Sequence, residues 1–314
     1  MYKMTYSMDE TQAMYAAESE DMLHWTLLNG GEPVLDLRPM GRIIRDPFWF
    51  EFEGRYHALF TDNWNSRTIG HAVSDNFLDW ELLPFIPVMG ENDNVVNCWA
   101  PEVYREVDGT YVIIWSTSFA DKNDDHKISN RIWGTRTKDF KTFTKAQLFF
   151  DPGHPVIDAT MWVENATYYM AFKDERGFNA PESKWSAIRT TWARAEEEPF
   201  RWKRGLEGER AEVSCEKKKN AAQSGVRIGD MTWEEEPVCG LNGPMLQRIS
   251  PLLTGWRTEG PILMKKDGEF YMFFDSFGDH SYKGLKSPDF EVWTDISGEM
   301  EFPYHCKHLC IRGV

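Results

Sequence analysis

Five segments of the chain place a titratable side chain near the start of an apolar run. In chain order they are IIRDPFWF with Asp46, CWAPEVYR with Glu102, VIDATMWV with Asp158, EGPILMKK with Glu259, and HLCIRGV with His308. A single acidic residue beside proline is most often a turn residue that accepts nearby backbone hydrogen bonds. Several carboxylates gathered in one place oppose one another's ionisation, which holds one acid protonated beside another that is ionised. That pairing suits hydrolysis of a glycosidic bond, in which one acid protonates the leaving oxygen and one carboxylate activates water.

Four tight turns followed by strand-like runs indicate how these residues are positioned. The segments EGRYHALF, DGTYVIIW, NATYYMAF and DGEFYMFF begin at Glu53, Asp108, Asn165 and Asp267. Glycine or asparagine turns flanked by apolar and aromatic runs are strong signals for a β-hairpin. Each turn follows one of the first four segments, so we expect each of those acids to stand at the head of the first strand of its hairpin.

A second repeat consists of an acidic or amide residue followed four positions later by an aromatic residue. The five aromatic residues are Trp25, Trp80, Phe143, Trp202 and Trp293, at intervals of 55, 63, 59 and 91 positions. A period of about 60 residues suits a four-stranded blade with long loops. The longer interval contains the charged stretch GLEGERAEVSCEKKKNAAQSG, which predicts a solvated insertion at about 205–229, between blades III and IV.

Together the repeats predict an all-β, five-bladed β-propeller that occupies residues 1–314 as a single catalytic domain. Four hairpins and five aromatic signatures are reconciled if both chain termini contribute strands to the fifth blade. The N-terminal segment would then supply the later strands of that blade, and HLCIRGV its innermost strand. Ring closure leaves only short, protected sheet edges; a β-sandwich with accidental internal similarity is the alternative. Because inner strands begin near the propeller axis, the five titratable residues are predicted to be neighbours.

The composition limits the partners of the chain. It carries a formal net charge of −15 and contains 14 Trp, 20 Phe and 11 Tyr. Nucleic acid and anionic membrane surfaces require a positive footprint, so we expect neither as a partner, whereas a neutral polysaccharide is not repelled. No apolar run approaches the ~18 residues of a membrane span. The opening MYKMTYSMDETQAM lacks an apolar leader core, so we expect a leader to be absent or already removed. The five cysteines form no CxxC pair and are expected to be free thiols.

The ordered set RDPFWF, WAPEV, VIDATMW, EGP and a late histidine resembles the family 43 glycoside hydrolases. These are five-bladed propellers that cleave arabinose- and xylose-containing glycans with inversion. The resemblance covers residues from about 21 to 314, apart from the insertion. It implies that Asp46 is the general base, Glu259 the general acid, and Asp158 the carboxylate that orients the acid and raises its pKa.

The resemblance also bears on cofactors. His308 resembles a histidine near the propeller axis that is sometimes associated with a bound Ca²⁺ through water. Structural calcium at the axis is therefore an expectation, and no cofactor is required for the chemistry. Ala159 departs from the pattern, since many members have proline after the corresponding aspartate.

Further side chains are candidates for substrate binding. Glu102 resembles the acid of the second-blade motif and is expected to contact sugar hydroxyls or to position a neighbour. Arg257 is expected to bind a hydroxyl or to neutralise a carboxylate. His280, in DSFGDHSY, lies in the loop after the second strand of blade IV, where subsite and surface roles are both open. Four aromatic residues in or just after inner strands are candidate stacking platforms, with a core position as the alternative: Trp49, Trp64, Trp99 and Trp162.

These observations predict an inverting glycoside hydrolase that releases a terminal sugar, arabinofuranose or xylose, from plant-type polysaccharide or oligosaccharide. One alternative is a non-catalytic propeller that binds glycans or proteins, although such a module has no use for an acid beside a base. The other is a retaining fructan-type propeller hydrolase with a nucleophilic aspartate. That type would carry an Asn-Asp-Pro-Asn-like first motif and Glu-Cys at the acid, whereas this chain has Arg45-Asp46-Pro47 and Glu259-Gly260. The sequence indicates neither the oligomeric state nor the compartment.

Overall fold

β-Strands dominate the structure, a computed structural model that describes residues 1–120, 129–176, 186–199, 226–228, 231–233 and 243–314. Five sheets are arranged as the blades of a β-propeller. The innermost strands of consecutive blades contact one another in a closed ring. The predicted all-β, five-bladed fold is therefore confirmed.

The strands of each blade run antiparallel and, in blades I to IV, follow chain order outward from the axis. The chain begins with three strands of the closing blade: β1 (Tyr2–Ser7), β2 (Met14–Ser19) and β3 (Thr26–Leu27). Blade I contains β4 (Arg45–Phe52), β5 (Arg55–Thr61), β6 (Gly70–Ser74) and β7 (Trp80–Leu82). Blade II contains β8 (Trp99–Arg105), β9 (Tyr111–Thr117), β10 (Arg131–Thr137) and β11 (Gln147–Phe150).

The second half of the chain completes the ring. Blade III contains, among the described residues, β12 (Val156–Glu164), β13 (Thr167–Asp174) and β14 (Ala187–Arg194). A separate two-stranded ribbon follows, formed by β15 (Val226–Ile228) and β16 (Met231–Trp233). Blade IV contains β17 (Thr258–Lys266), β18 (Glu269–Ser276), β19 (Ser281–Ser287) and β20 (Thr294–Asp295), and the last strand is β21 (Lys307–Gly313). Short helical turns occupy Asn29–Gly31, Arg38–Met40, Ala195–Glu197, Pro244–Gln247 and Ser297–Glu299.

The closing blade has the strand order β21-β1-β2-β3, so both ends of the chain meet in one sheet. β21 is its innermost strand and pairs antiparallel with β1, with Met4 opposite Ile311 and Tyr2 opposite Gly313. This arrangement confirms the predicted closure, because the segment HLCIRGV fills the position that a hairpin supplies in the other blades.

The acid-to-aromatic repeat marks the turn from the third to the fourth strand. In the closing blade, Asp21 Oδ1 accepts hydrogen bonds from the backbone N–H groups of Leu23 (2.8 Å) and His24 (2.9 Å). Asn76 plays the same part in blade I, and Asp139 and Asp289 do so in blades II and IV. These acidic and amide side chains therefore stabilise turns. Residues 200–202 of the EPFRW repeat, and most of the predicted insertion at 205–229, lie outside the described residues.

Apolar side chains of the two innermost strands of each blade fill the space between the blades. Among the largest are Trp49, Phe60, Trp115, Phe172 and Phe273, each at most 1% exposed. Burying a side chain of this size contributes about 1.5–3 kcal/mol. Cys98, Cys306 and Cys310 are free and buried, and the other two cysteines of the prediction, Cys215 and Cys239, lie outside the described residues. Within the described ranges, no helix has the length and apolarity needed to cross a membrane.

Candidate active site

A β-bulge interrupts the beginning of every inner strand. Register shifts fall at this point in β4, β8, β12, β17 and β21. One residue at each bulge has a left-handed backbone: Asp46 (φ 51°), Ala100 (φ 48°), Asp158 (φ 54°), Gly260 (φ 53°) and His308 (φ 40°). This conformation is uncommon for residues other than glycine and clusters at functional sites, and a bulge re-aims the side chain it carries. Each inner strand therefore begins with a bulge that contains a left-handed residue, and the five bulges surround the propeller axis.

His308 connects two of the predicted catalytic carboxylates. Its Nδ1 lies 3.0 Å from Asp46 Oδ1, and its Nε2 lies 3.4 Å from Glu259 Oε1. The second oxygen of Asp46 accepts a hydrogen bond of 2.5 Å from the hydroxyl of Thr61. The same hydroxyl accepts the backbone N–H of Ala100 at 2.9 Å, which fixes blade I against blade II. Asp46 is thus held from both sides at the head of β4.

Glu259 is also in contact with a buried lysine that the sequence analysis did not single out. Glu259 Oε2 lies 2.7 Å from Lys173 Nζ, and the same ammonium lies 2.5 Å from Glu175 Oε1. The side chains of Lys173 and Glu175 are each 5% exposed. The buried ammonium pairs with both carboxylates at once, so Lys173 fixes the position of Glu259 and favours its ionised form.

Asp158 completes the carboxylate group. Its Oδ2 accepts the backbone N–H of Gly260 at 3.1 Å, which links it to the strand that carries Glu259. Its own backbone N–H donates to Ser116 Oγ at 3.1 Å. A Cβ added to Gly260 would stand 3.0 Å from the His308 ring, so glycine permits this close approach.

The pKa pattern of the site follows from these contacts. Burial opposes a charge on His308, but Asp46, Asp158 and Glu259 outweigh it and raise its pKa to about 10. Burial raises the pKa of Asp158 to about 6, although His308 and Lys173 act in the opposite direction. Burial would also raise the pKa of Glu259, but Lys173 and His308 hold it well below its usual range. The lowered pKa of Glu259 runs against the expectation that Asp158 keeps this acid protonated, because Lys173 and His308 favour the ionised form.

The same residues are those a metal ion would use. Asp158, Glu259 and His308 each offer one ligand atom, and these atoms lie within 4.8 Å of one another. A metal ion requires a neutral imidazole, whereas both nitrogens of His308 face carboxylate oxygens and its pKa is raised to about 10. In this arrangement the protonated imidazole supplies the positive charge, so His308 does not fit as a direct ligand of a metal ion. Calcium at the axis stays a prediction of the resemblance, and no chemical step is derived through it.

Glu102 lies deeper along the axis than the residues at the strand starts. The left-handed position of β8 is taken by Ala100, two residues earlier, so Glu102 does not occupy the place of Asp46 or Asp158. It lines a narrow axial cavity of about 20 Å³ together with Asp158 and His308. Burial raises the pKa of Glu102 to about 8, with Thr160 as an opposing hydrogen-bond partner. Of its two predicted roles, positioning a neighbour suits this location better than contacting a sugar.

Two of the four predicted aromatic platforms lie at the mouth of the site. Trp64 is 45% exposed, and the indole N–H of Trp99 donates to its carbonyl oxygen at 2.9 Å. The two rings meet edge to face, with centroids 6.2 Å apart. The guanidinium of Arg45, next to Asp46, lies 4.5 Å from the Trp64 ring centroid. An aromatic surface therefore adjoins the head of β4.

The predictions for Trp49 and Trp162 are wrong. Trp49 is 1% exposed and packs edge to face on Phe77, because alternation along β4 turns it into the core between blades. Trp162 lies four residues beyond Asp158 on β12, roughly 13 Å along the strand at ~3.3 Å per residue. It packs against two hydrophobic clusters there and not at the strand start.

Arg257 and His280 are both exposed at the same end of blade IV as Glu259. The guanidinium of Arg257 lies 4.3 Å from the ring centroid of its neighbour Trp256, which is 47% exposed. His280 lines a cavity between blade IV and the closing blade. Both residues have left-handed backbones, with φ of 65° and 56°.

The residues missed by sequence analysis share one structural position. Thr61, Ser116, Lys173 and Asp275 each pair with the residue just before the left-handed residue of the adjacent inner strand. In the sequence they end the apolar runs ALFT, IIWS, MAFK and MFFD. The sequence signal that could have identified these residues is a polar residue at the end of the second strand of each hairpin.

A five-bladed propeller whose inner strands bring three carboxylates and a histidine together at the axis has the architecture of the β-propeller glycoside hydrolases. A family model described as a probable glycosyl hydrolase domain, related to glycosyl hydrolase family 43, matches residues 1–224. The chain belongs to this family, which confirms the resemblance found in the sequence. Asp46 and Asp158 lie within the matched residues, and Glu259 and His308 follow them.

Individual proteins support the same placement. An α-L-arabinofuranosidase from Bifidobacterium longum is 27% identical over 190 residues, which are 52% of this chain and 18% of that protein. The chain thus matches less than a fifth of the length of that curated relative.

Solved structures share the fold. A thermostable family-43 glycoside hydrolase has a TM-score of 0.52 at 16% identity, covering 81% of this chain and 72% of its own. An endo-1,4-β-xylanase from Bacteroides thetaiotaomicron has a TM-score of 0.50 at 16% identity, and the match covers 83% of this chain and 73% of the xylanase chain. An exo-β-1,3-galactanase from Phanerochaete chrysosporium, with β-1,3-galactotriose, has a TM-score of 0.52 at 9% identity. The match covers 86% of this chain and 51% of the galactanase chain.

Proposed function

We propose that the chain is an inverting glycoside hydrolase that releases a terminal sugar, arabinofuranose or xylose, from a plant-type polysaccharide or oligosaccharide. Asp46 is the general base, Glu259 the general acid, and Asp158 the carboxylate that orients the strand carrying the acid. The observation that carries the proposal is the contact of Asp46 and Glu259 with opposite nitrogens of His308. The name of the Bifidobacterium relative, an α-L-arabinofuranosidase, favours arabinofuranose as the released sugar.

The spacing of the two carboxylates suits a single displacement. Oxygens that lie 3.0 Å and 3.4 Å from opposite nitrogens of one imidazole stand at most roughly 9 Å apart. An inverting pair needs ~6.5–9.5 Å between its carboxyl groups to admit water, whereas a retaining pair stands ~5–5.5 Å apart; both spacings lie within this bound, so the choice of inversion rests on the family resemblance. Asp46 then removes a proton from water as Glu259 gives a proton to the departing oxygen on the opposite face of the sugar.

The protonation states of the catalytic groups determine which form of the enzyme reacts. Lys173 holds Glu259 ionised, whereas His308 is protonated and Asp158 has a pKa raised to about 6. These groups interact closely and titrate as a set, so a minority form in which Glu259 carries the proton is always present. We infer that this minority form is the reactive one. After proton transfer, Lys173 stabilises the carboxylate that Glu259 becomes.

The aromatic surface near Asp46 orients the sugar. Trp64 and Trp99 offer exposed ring area beside the base, and stacking of a sugar ring on an aromatic face fixes its plane. A ring held there presents its anomeric carbon towards the gap between Asp46 and Glu259. Arg257, on the side of the acid, is placed to bind a hydroxyl group of the substrate.

Hydrolysis of a panel of aryl glycosides tests the proposal. The panel contains the α-L-arabinofuranoside, the β-D-xyloside, the β-D-galactoside and a fructoside of comparable leaving groups. We expect release of arabinose or xylose by the full chain. Binding of glycans without hydrolysis of any member would replace the proposal by a non-catalytic propeller, and cleavage of the fructoside alone would replace it by the fructan type.

A further inference from the structure

A cavity of about 500 Å³ opens between blade IV and the closing blade. Its lining comes from three parts of the chain: the loop between β1 and β2, the β18–β19 turn with the residues after it, and the segment 300–307 that leads into β21. Its volume lies within the ~300–1,000 Å³ of small-molecule binding sites. The axial cavity at the catalytic carboxylates is much smaller, at about 20 Å³.

The cavity adjoins the acid side of the active site. Asp275, in its wall, is the cross-strand partner of Glu259 in the β17–β18 pair. Lys307, which also lines it, lies 2.7 Å from Asp275 and directly precedes His308. In the proposed mechanism the group on the side of Glu259 is the departing one. The cavity is therefore placed for the part of the substrate that leaves.

The lining combines aromatic surface with paired charges. Tyr304 is 83% exposed, and its ring stacks on His305 with centroids 3.8 Å apart, which leaves its other face open. His305 is held in turn by Glu10 across the cavity rim, since its Nδ1 lies 2.7 Å from Glu10 Oε1. Aromatic faces with a few fixed polar groups are the composition that binds hydroxyl-rich ligands.

Charge and backbone geometry narrow the ligand class. The described lining contains three carboxylates, Asp9, Glu10 and Asp275, and one lysine, Lys307, which pairs with Asp275, so its charge disfavours an acidic sugar. His305 has a left-handed backbone with φ of 58°, a conformation that clusters at functional sites.

We propose that this cavity, the blade IV–V cavity, is a subsite for a second, neutral sugar residue on the leaving-group side of the cleaved bond. The preferred substrate is then an oligosaccharide or polysaccharide with neutral sugars on that side, rather than a sugar carrying a small leaving group. The inference rests on the proposed function, since it assigns the leaving side from Glu259.

The test compares substrates that reach the cavity with one that does not. For wild type and Tyr304→Ala, kcat/KM is measured on a neutral trisaccharide and on an aryl monoglycoside of the same terminal sugar. Removing one stacking ring should weaken use of the trisaccharide only. The ratio of kcat/KM on the trisaccharide to kcat/KM on the aryl monoglycoside should therefore fall by about 3–10-fold in Tyr304→Ala. Val107→Ala is the matched control, because Val107 is 57% exposed at the opposite end of the propeller, in the β8–β9 turn. It should keep the wild-type ratio.

A binding measurement separates this inference from the proposed function. Calorimetry with the trisaccharide is carried out on Asp46→Asn and on Asp46→Asn/Tyr304→Ala, neither of which needs to turn over. Weaker binding by the double variant supports the subsite, and equal binding together with an unchanged kinetic ratio overturns it. Tighter binding of a uronate-bearing trisaccharide overturns the assignment to neutral sugars. A wild-type protein inactive on every aryl glycoside contradicts the proposed function instead, and the affinity comparison then still decides the subsite.

Discussion

Replacing Lys173 with methionine removes the only cation that touches both Glu259 and Glu175 among the described residues, and it preserves the length of the side chain. The ammonium lies 2.7 Å from Glu259 Oε2 and 2.5 Å from Glu175 Oε1, and its side chain is 5% exposed. An opposite charge at such a distance lowers the pKa of a carboxyl by about 1–3. We therefore expect the pKa of Glu259 to rise in Lys173→Met, because the largest cause that lowers it is removed.

The same substitution lowers stability in a pH-dependent way. Removing one partner of a buried ion pair costs about 3–5 kcal/mol in the free energy of unfolding. Because the folded-state pKa of Glu259 is depressed, its contribution to stability is present above the ordinary pKa and is lost as the pH falls through the folded-state value. The stability difference between wild type and Lys173→Met should thus be largest near neutral pH and shrink in acid.

The assay is carbon-13 NMR titration of the side-chain carboxyl of Glu259, assigned with Glu259→Gln, together with denaturant unfolding at several pH values. Lys173→Arg is the control, because it keeps the positive charge and should keep the pKa of Glu259 low. An unchanged pKa in Lys173→Met would refute the role given to the ammonium. A stability loss that is equal at all pH values would show that Lys173 acts through packing alone.

Three further predictions concern the acid, the histidine and the closing strand. Glu259→Ala should retain much of its rate on aryl glycosides whose leaving group needs no protonation, whereas Asp46→Asn should be slow on these and on natural glycosides; equal losses on activated substrates would sink the assignment. His308 has a pKa raised to about 10, so its imidazolium stabilises the fold fully below pH ~6.5 and less as the pH rises through 10. The difference in melting temperature between wild type and His308→Gln should therefore vanish in strong alkali. Deleting residues 309–314 removes most of β21, including the buried Leu309 and Ile311, and should cost several kcal/mol at about 1.5–3 kcal/mol per side chain. A melting curve identical to that of the full chain would contradict the closure of the ring.

The fold was predictable because its signals are local and repeated. Turns such as Asp267-Gly268 fix the hairpins, and the period between Trp25, Trp80 and Phe143 fixes the blade length. Closure by β21 followed from the missing fifth hairpin. Alternation within strands was the weaker guide, because aromatic residues such as Trp49 and Trp162 serve the core as often as a ligand surface.

The site was predictable only in part, since its chemistry depends on contacts between blades. The sequence places Asp46, Asp158, Glu259 and His308 at strand starts, and the structure brings them together there. It does not reveal that Lys173, on the second strand of blade III, reaches Glu259 on blade IV. Because the ion pair with Lys173 outweighs the effect of burial on the pKa, Glu259 is ionised, whereas the sequence analysis expected it to be protonated.

Proton NMR of the anomeric region during the first minutes of hydrolysis tests the central claim most directly. If Asp46 activates water opposite the departing oxygen protonated by Glu259, the first sugar formed has the anomeric configuration opposite to that of the substrate bond. The spectrum must be followed before mutarotation mixes the anomers. Appearance of the inverted anomer first is the result we predict. Appearance of the retained anomer first would contradict the account, and Asp46 would then be a nucleophile instead of a base.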